Sequence, residues 1–185
     1  MADRVASKAT CSRRSGSVMS GRIVDFYEGN TIHPDGFAID QVWNWNDKEL
    51  EYSHTYIQWL FPSRIPSSMV SDSPVISQAD IVRFKTDSDL RKRFARSYVT
   101  VLRFYGFRIT DDGSVMRADD FVEKSDNWLT PSNHNYLRIT RILKAMMMFG
   151  FEKNARDFLE ALHQVYRENP ELVGASWGFW QRACV

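Results

Sequence analysis

Two stretches of the chain carry most of the information about its fold and chemistry: His54-Thr55-Tyr56-Ile57-Gln58-Trp59-Leu60-Phe61-Pro62 and His134-Asn135-Tyr136-Leu137-Arg138-Ile139-Thr140-Arg141-Ile142-Leu143. Both place polar or charged side chains among large apolar ones. Because such groups are costly to bury alone, each must find a partner within the fold or line a solvent-filled hollow. If the chain has a functional site, we expect it where these stretches lie.

Length and composition predict one globular domain. The chain has 185 residues, 43% of them hydrophobic, which is enough to bury a core without metals or disulfides. Its 24 Lys and Arg residues nearly balance 23 Asp and Glu residues, so no overall field favours nucleic acid or an anionic membrane. No apolar run approaches the roughly 18 residues that a spanning helix needs, so we expect no transmembrane segment.

The two cysteines, Cys11 and Cys184, form neither a metal-binding spacing nor a disulfide framework. This usage is typical of a reducing compartment and predicts an intracellular protein, cytoplasmic or nuclear. Residues 1–21 are rich in Ser, Arg and Lys and poor in large apolar side chains. They are predicted to be a disordered tail before a domain at 22–185. A mitochondrial presequence shares this composition, but the absence of a clear amphipathic face favours a plain tail.

The first stretch has helical spacing. Asn46 or Asp47 can cap a helix in which Leu50, His54, Ile57 and Phe61 recur at four, three and four residues, and Pro62 ends it. This single helix would place His54 inside an apolar stripe. The following segment up to residue 77 is rich in proline and serine and predicts a long loop.

The rest of the chain is also predominantly helical in pattern. Ser77 opens a short helix, and Asp87 caps a longer one that closes at Gly106. Asp112-Gly113 lies between 107–109 and 115–117 and predicts a small β-hairpin, the only strand signal.

Three further helices are predicted near the C-terminus. One begins at Pro131 and Ser132 and ends at Gly150, with Ile139 and Ile142 facing inward. Two more cover 152–169 and 170–182. The fold class is therefore all-α, a single-domain helical bundle with one small β-hairpin near 107–117.

His54 is the sharpest oddity of the first helix, because Glu51, Thr55 and Gln58 flank it and interrupt the apolar face. A histidine in such a position is most often a core residue with a hydrogen-bonded partner, and this interpretation is favoured. The alternative is a functional acid, base or orienting group, since imidazole both donates and accepts protons near neutral pH.

On the later helix His134, Arg138 and Arg141 are separated by four and three residues and share one face. Arginine recognises carboxylate or phosphate groups in two-point contacts, so this stripe suits an anionic group: a substrate, a peptide terminus or a side chain such as Glu51. An internal salt-bridge network between two helices is slightly favoured. Asn135 should face the core, where its amide needs buried partners.

Other site classes are disfavoured. The histidines lie far apart without zinc-binding spacings, so no metal site is predicted, and no phosphate-binding loop, nucleophile elbow or dinucleotide fingerprint implies a cofactor. The long helix carries a basic face, formed by Arg91, Lys92, Arg93, Arg96 and Arg103. We interpret it as a solvated face and predict no nucleic-acid partner, because no aromatic platform interleaves its charges.

The motifs resemble a known family. Asp25-Phe26-Tyr27, Leu50-Glu51 with the first stretch, Phe104-Tyr105-Gly106 and His134-Asn135 with Leu137 to Lys144 match, in order and rough spacing, the opioid growth factor receptor conserved region. The similarity covers about residues 22 to 184, and strings as long as YIQWLFP and LRITRIL make chance agreement implausible. The chain ends near Cys184 without the repeat-bearing tail of the animal receptor and so resembles a short, stand-alone member.

The resemblance implies a receptor-like, ligand-binding domain. The animal receptor binds an enkephalin-type growth factor peptide, restrains cell proliferation and associates with nuclear membranes, which implies peripheral membrane association. No established catalytic residues carry over from the family. The sequence leaves the oligomeric state open.

Two functional hypotheses remain, and a third possibility is a scaffold whose histidines are all structural. The first is a binding module for a peptide or small anionic ligand, with Glu51, Gln58, Trp59, Asn135, Arg138 and Arg141 as the ligand-binding candidates. The second is a small cofactor-free enzyme of specialised metabolism, in which His54 and His134 move protons and an arginine stabilises developing negative charge. The first is favoured, because no recognised nucleophile, metal cluster or carboxylate pair occurs in the sequence.

Overall fold

A computed structural model describes residues 21–67 and 73–185, so the predicted N-terminal tail lies outside the described residues except for Gly21. The described residues form eleven helices and one two-stranded sheet, which confirms the predicted fold class. The helices are α1 Arg22–Glu28, α2 Ile39–Asn44, α3 Asp47–Tyr52, α4 Tyr56–Leu60, α5 Gln78–Thr86, α6 Ser88–Phe104, α7 Phe121–Ser125, α8 Asn135–Met148, α9 Glu152–Glu168, α10 Pro170–Val173 and α11 Ser176–Ala183. The strands are β1 Phe107–Ile109 and β2 Val115–Arg117.

Side-chain caps set the starts of α5 and α6. The Ser77 hydroxyl accepts the N–H of Asp80, whose carboxylate accepts from the Ser77 backbone in return. Asp87 accepts the N–H groups of Asp89 and Leu90 at the start of α6. Both caps satisfy backbone donors that have no partner within the helix, and both confirm the helix starts predicted from the sequence.

The core is built around α6 and is strongly aromatic. Phe84 of α5 stacks on Phe149 after α8, with ring centroids 4.2 Å apart, and Phe94 of α6 meets the same ring edge-on at 4.9 Å. All three rings are fully buried. Aromatic contacts of this geometry add to the area that they bury, so this trio joins α5, α6 and the end of α8.

The predicted hairpin forms with Arg108 opposite Met116 and Ile109 opposite Val115. Its turn contains Gly113, whose φ of +83° favours glycine. β1 packs against α6 and β2 against α9, so the hairpin closes one end of the bundle.

Three predicted helix boundaries are wrong. The helix expected over 46–61 is two short helices, α3 and α4, with a break at residues 53–55. α8 begins at Asn135 rather than at Pro131, because Ser132 has a φ of +58°, which cannot continue a helix. The last predicted helix divides into α10 and α11 at Gly174, where φ is +51°.

A sealed polar network joins four helices beside the core. The Trp43 indole donates to the hydroxyl of Ser97 at 2.9 Å, and the Tyr27 hydroxyl lies 3.0 Å from the same oxygen. Tyr27 also donates to the carbonyl of Leu60 at 2.7 Å. All of these side chains are buried, and we call Tyr27, Trp43 and Ser97 the Ser97 network.

Candidate functional site

The guanidinium of Arg138 holds the end of α3. It donates to the backbone carbonyls of Leu50 at 3.1 Å, Glu51 at 3.4 Å and Ser53 at 2.8 Å, although these residues lie 85 to 88 positions away in sequence. The last carbonyls of a helix have no partner within the helix and carry its negative dipole end, so a cation is well suited to them. Only 5% of Arg138 is exposed, and its ring contact with Tyr56 shields it further.

Asn135, the first residue of α8, is completely buried, and its amide has the buried partners that the sequence required. Its Nδ2 donates to a carboxylate oxygen of Glu51 and to Asn133 Oδ1, both at 3.0 Å. Its Oδ1 accepts from Arg138 and from the Tyr105 hydroxyl, both at 3.3 Å. Asn135 thus connects the core to the surface.

The carboxylate of Glu51 is the only anion within 4 Å of Arg138 among the described residues, with an O–N distance of 3.7 Å. Its other oxygen lies 3.3 Å from Nε2 of His134. The Glu51 side chain is 33% exposed and that of His134 is 43% exposed, so this pair faces solvent. It also lies at the N-terminal end of α8, where the helix dipole favours negative charge.

His54 completes the group from the break between α3 and α4. Its Nδ1 lies 3.2 Å from Arg138 Nη2, and its ring meets that of His134 edge-on with centroids 5.3 Å apart. Because a guanidinium can only donate, His54 Nδ1 is the acceptor of this hydrogen bond. We call Glu51, His54, His134, Asn135 and Arg138 the Glu51 cluster.

The expectation that His54 lies inside an apolar stripe is wrong, because His54 is exposed. The break at residues 53–55 turns its side chain out of the face that Leu50 and Ile57 bury. Turned so that both its oxygen and its nitrogen have partners, the Gln58 amide donates to the carbonyls of His54 at 3.1 Å and Thr55 at 2.8 Å and stabilises this break.

The electrostatic environment keeps His134 neutral to lower pH than an ordinary histidine. Burial is the largest cause that lowers its pKa, and the charge of Arg138 acts in the same direction, while the Glu51 carboxylate opposes them. Burial also raises the pKa of Tyr105 well above its ordinary value, so this phenol stays a neutral hydrogen-bond donor to Asn135.

Three of the residues predicted to bind ligand lie outside the cluster. Gln58 and Trp59 are buried in α4, and the Trp59 ring contacts Phe26 and His33 rather than the cluster. Arg141 is half-buried and donates to the carbonyl of Phe61 at 3.3 Å. The predicted shared face of His134, Arg138 and Arg141 is therefore divided between two different neighbours.

Sequence reasoning missed Tyr105 and the backbone carbonyls of Leu50 and Ser53 as parts of this arrangement. The buried amide of Asn135 was the available signal for Tyr105, because it demanded a partner from the core. Nothing in the local sequence indicated that the carbonyls would be bound, since their donor lies on a distant helix.

Two open hollows on the described part of the surface lie away from the Glu51 cluster. One, of about 570 Å³, is lined by the hairpin, including Arg108, Asp112 and Met116. A second, of about 260 Å³, lies between Glu28, Asp87 and Arg93.

The basic face of α6 is largely engaged within the chain. Lys92 pairs with Asp89 at 3.1 Å, and the Arg96 guanidinium lies 4.4 Å from the centre of the Trp43 ring. Arg103 donates to the carbonyl of Trp45 at 2.6 Å.

Residues 21–67 and 73–185 contain neither a metal-binding cluster nor a helix that could span a membrane. This part of the chain contains no group of three or more His, Cys, Asp and Glu residues arranged to hold a metal ion. None of its helices has both the length and the apolar composition needed to cross a membrane.

Comparisons with known proteins place the cluster in a family context. The model of the opioid growth factor receptor conserved region matches residues 20–169, which include every residue of the Glu51 cluster. Opioid growth factor receptor-like protein 1 of Mus musculus is 37% identical over 150 residues, which cover 78% of this chain and 32% of that protein. The opioid growth factor receptor of Mus musculus is 38% identical over 135 residues, 70% of this chain and 21% of that protein.

The human opioid growth factor receptor is 40% identical over 124 residues, covering 64% of this chain and 18% of its own length. The chain thus spans about a third or less of the length of these relatives. No solved structure matches the chain. The family model covers most of the sequence, and the chain therefore belongs to the opioid growth factor receptor family.

Proposed function

We propose that this chain is a receptor-like binding module that takes a peptide or a small anionic ligand at the Glu51 cluster. One observation carries the proposal: two imidazoles, a carboxylate and a guanidinium from distant parts of the sequence meet at one solvent-facing place. Structural ion pairs need only two partners. A group of four ionisable side chains that remains partly open to solvent is more typical of a binding site.

The roles of the candidate residues follow from their exposure. Glu51, His54 and His134 are all accessible, and the two histidines would contact the ligand. Arg138 and Asn135 are buried and would position these contacts while adding positive field and hydrogen-bond donors. Gln58, Trp59 and Arg141 support the break and α4 from behind, so they would act on binding through the position of His54.

The names of the relatives indicate the ligand class to test first. They are called receptors for an opioid growth factor, so an enkephalin-type peptide is the first probe for this chain. A peptide supplies an ammonium, a carboxylate and apolar side chains. Tyr52 and Leu137 are exposed and each is adjacent in sequence to a residue of the cluster, so they would offer apolar contacts to a bound peptide. An intracellular location, with peripheral association with membranes, belongs to the same proposal.

The experiment compares two histidines of similar exposure. Calorimetric titration with an enkephalin-type peptide and with acetate is carried out on the parent, on His134→Gln and on His163→Gln. The side chain of His163 is 41% exposed against 43% for His134, but it stacks on Trp177 away from the cluster. We expect binding by the parent and by His163→Gln, and binding weakened about tenfold in His134→Gln, as for loss of one charge-assisted hydrogen bond. No binding by the parent, or equal binding by both variants, contradicts the proposal.

Acid–base catalysis is the second candidate, and the Glu51–His134 pair is the observation that favours it. A carboxylate 3.3 Å from an imidazole is suited to orienting a general base, and His54 offers a second proton acceptor close by. Mass spectrometry of each ligand after incubation with the parent separates the two candidates. Conversion that is lost in His134→Gln favours catalysis, whereas recovery of unchanged ligand favours binding.

A further inference from the structure

We propose that Glu51 is a built-in competitor: its carboxylate occupies the place at which the chain binds the carboxylate group of a ligand. This inference rests on the proposed function and names the chemical group that the Glu51 cluster recognises. A ligand carboxylate would bind by displacing the Glu51 side chain toward solvent.

The donors around Glu51 form a complete carboxylate site. Nδ2 of Asn135 lies 3.0 Å from one oxygen, and Nε2 of His134 lies 3.3 Å from the other. The Arg138 guanidinium lies 3.7 Å from the Asn135-bound oxygen and supplies the positive charge. Asn135 and Arg138 are almost fully buried, so their donors are fixed in position before any ligand arrives.

The donors do not depend on Glu51 for their own positions. Asn135 also bonds Asn133 through Nδ2, and Arg138 is held by the carbonyls of Leu50 and Ser53. These bonds are made to backbone or to a neighbouring amide, so they persist when the Glu51 side chain rotates away. The donor set would then retain its geometry and lose only its anion.

The Glu51 side chain has the freedom to leave. It is one-third exposed and lies on a helix of six residues, next to the break at 53–55. The α3 backbone stays in place because Arg138 holds its carbonyls. Displacement therefore requires side-chain rotation only. An incoming carboxylate replaces the bonds that Glu51 gives up, so the exchange conserves the number of charge-assisted hydrogen bonds.

This arrangement predicts an unusual direction for a single substitution. If Glu51 contacted the ligand favourably, Glu51→Gln would weaken binding. If Glu51 competes, Glu51→Gln removes a negative charge from the site and leaves the Arg138 charge without a carboxylate, so it strengthens carboxylate binding.

The test measures acetate affinity by calorimetry for the parent, Glu51→Gln and Glu49→Gln. Glu49 is the matched control: it lies on the same helix, carries the same charge and bonds the backbone N–H of Asn46, away from the cluster. We expect Glu51→Gln to bind acetate at least about tenfold more tightly than the parent, a difference of about 1.4 kcal/mol, and Glu49→Gln to match the parent. Equal or weaker binding by Glu51→Gln overturns the inference, as does an equal gain in Glu49→Gln.

A second arm identifies the source of the carboxylate. An enkephalin-type peptide with a free C-terminus and the same peptide with a C-terminal amide are titrated into Glu51→Gln. A gain over the parent for the free acid alone supports recognition of a peptide terminus, and a gain for acetate alone supports a small carboxylate. An equal gain for acid and amide overturns the inference, because a carboxylate would then not be the group that replaces Glu51.

Separate measurements test whether the Glu51 variants are folded and whether the chain binds a ligand at all. Thermal unfolding verifies that Glu51→Gln is folded, and Glu51→Ala, which also empties the site, must show the same direction of change. Binding by the parent that depends on His134 but is not improved by Glu51→Gln would refute the competitor while leaving the binding module intact. Absence of any binding in parent and variants refutes both.

Discussion

The Ser97 network and the Glu51 cluster are both polar, and both join segments that are distant in sequence, yet they differ in charge and access. The Ser97 network contains two hydroxyls and an indole, all buried and neutral. The Glu51 cluster contains an ion pair and two imidazoles, and Glu51 and His134 remain partly exposed. Buried neutral side chains keep their hydrogen-bond partners, because no ligand or water can reach them. Charged side chains that are open to solvent can exchange a partner for a ligand.

The buried Ser97 network therefore contributes to stability, and the partly exposed Glu51 cluster is suited to exchanging Glu51 for a ligand. Arg138 contributes both to stability and to this exchange. Its guanidinium is as deeply buried as the Ser97 network, and its charge faces the open Glu51. Substitutions that separate these contributions are therefore informative.

Arg138→Met should have the largest effect on stability. It leaves three backbone carbonyls without their Arg138 donor and Glu51 without its counter-charge, while Oδ1 of Asn135 keeps only the Tyr105 hydroxyl, so we expect a loss of about 3 kcal/mol in the free energy of unfolding. Arg141→Met removes the bond to the Phe61 carbonyl and should cost about 1 kcal/mol. Urea unfolding measures both. Equal losses would show that Arg138 is not the anchor of α3.

Ser97→Ala should cost about 2 kcal/mol, because the Trp43 indole N–H loses its acceptor inside the core. Ser88→Ala, an exposed serine at the start of the same helix, should leave stability nearly unchanged. Ligand affinity should be unchanged in both, since the Ser97 network shares no residue with the Glu51 cluster. A change in affinity with Ser97→Ala would contradict the separation of the two networks.

Acidification should destabilise the fold through His33 and His134. Burial is the largest cause that lowers the pKa of each, so the unfolded chain takes up these protons near the ordinary value of 6.5 and the folded chain only at lower pH. Stability is therefore lost as pH falls below about 6.5, at no more than about 1.4 kcal/mol per pH unit for each histidine. Unfolding at pH 7.5, 6.5 and 5.5 should show a flatter decline in His33→Gln than in the parent. An identical slope would contradict the assignment to His33.

Glu51→Gln should lower the pKa of His134 further, because the Glu51 carboxylate is the group that raises it. Glu49→Gln should leave that pKa unchanged. An NMR titration of the His134 ring in the parent and both variants measures this small effect. An unchanged His134 pKa in Glu51→Gln would mean that the two side chains do not face each other.

Local patterns were sufficient to predict most helices and the hairpin. Ser77, Asp87 and Asp112-Gly113 specify caps and a turn through contacts within a few residues, and those elements are confirmed. The 46–61 segment was predicted wrongly because its spacing fits one helix, whereas Arg138 and Gln58 bind the carbonyls around the break. Arg138 comes from a distant helix, so no local pattern could show it.

Only part of the site could be predicted, because its contacts also join residues that are distant in sequence. Glu51, His54, His134, Asn135 and Arg138 were singled out because polar groups in apolar surroundings need partners, and the fold does bring these five together. Gln58, Trp59 and Arg141 were singled out on the same ground, but their partners are not side chains of the cluster. These partners are the carbonyls of His54 and Thr55, the His33 ring and the Phe61 carbonyl, respectively. Sequence can indicate that a polar side chain needs a partner, but the partner depends on tertiary packing.

One NMR titration compares the two networks directly. Acetate is added to ¹⁵N-labelled Glu51→Gln while the side-chain amide of Asn135 and the indole N–H of Trp43 are followed in the same spectra. We predict that the Asn135 signals shift and saturate while the Trp43 indole signal stays in place. Shifts of equal size at both positions, or a stationary Asn135 amide, would contradict the assignment of exchangeable carboxylate binding to the Glu51 cluster.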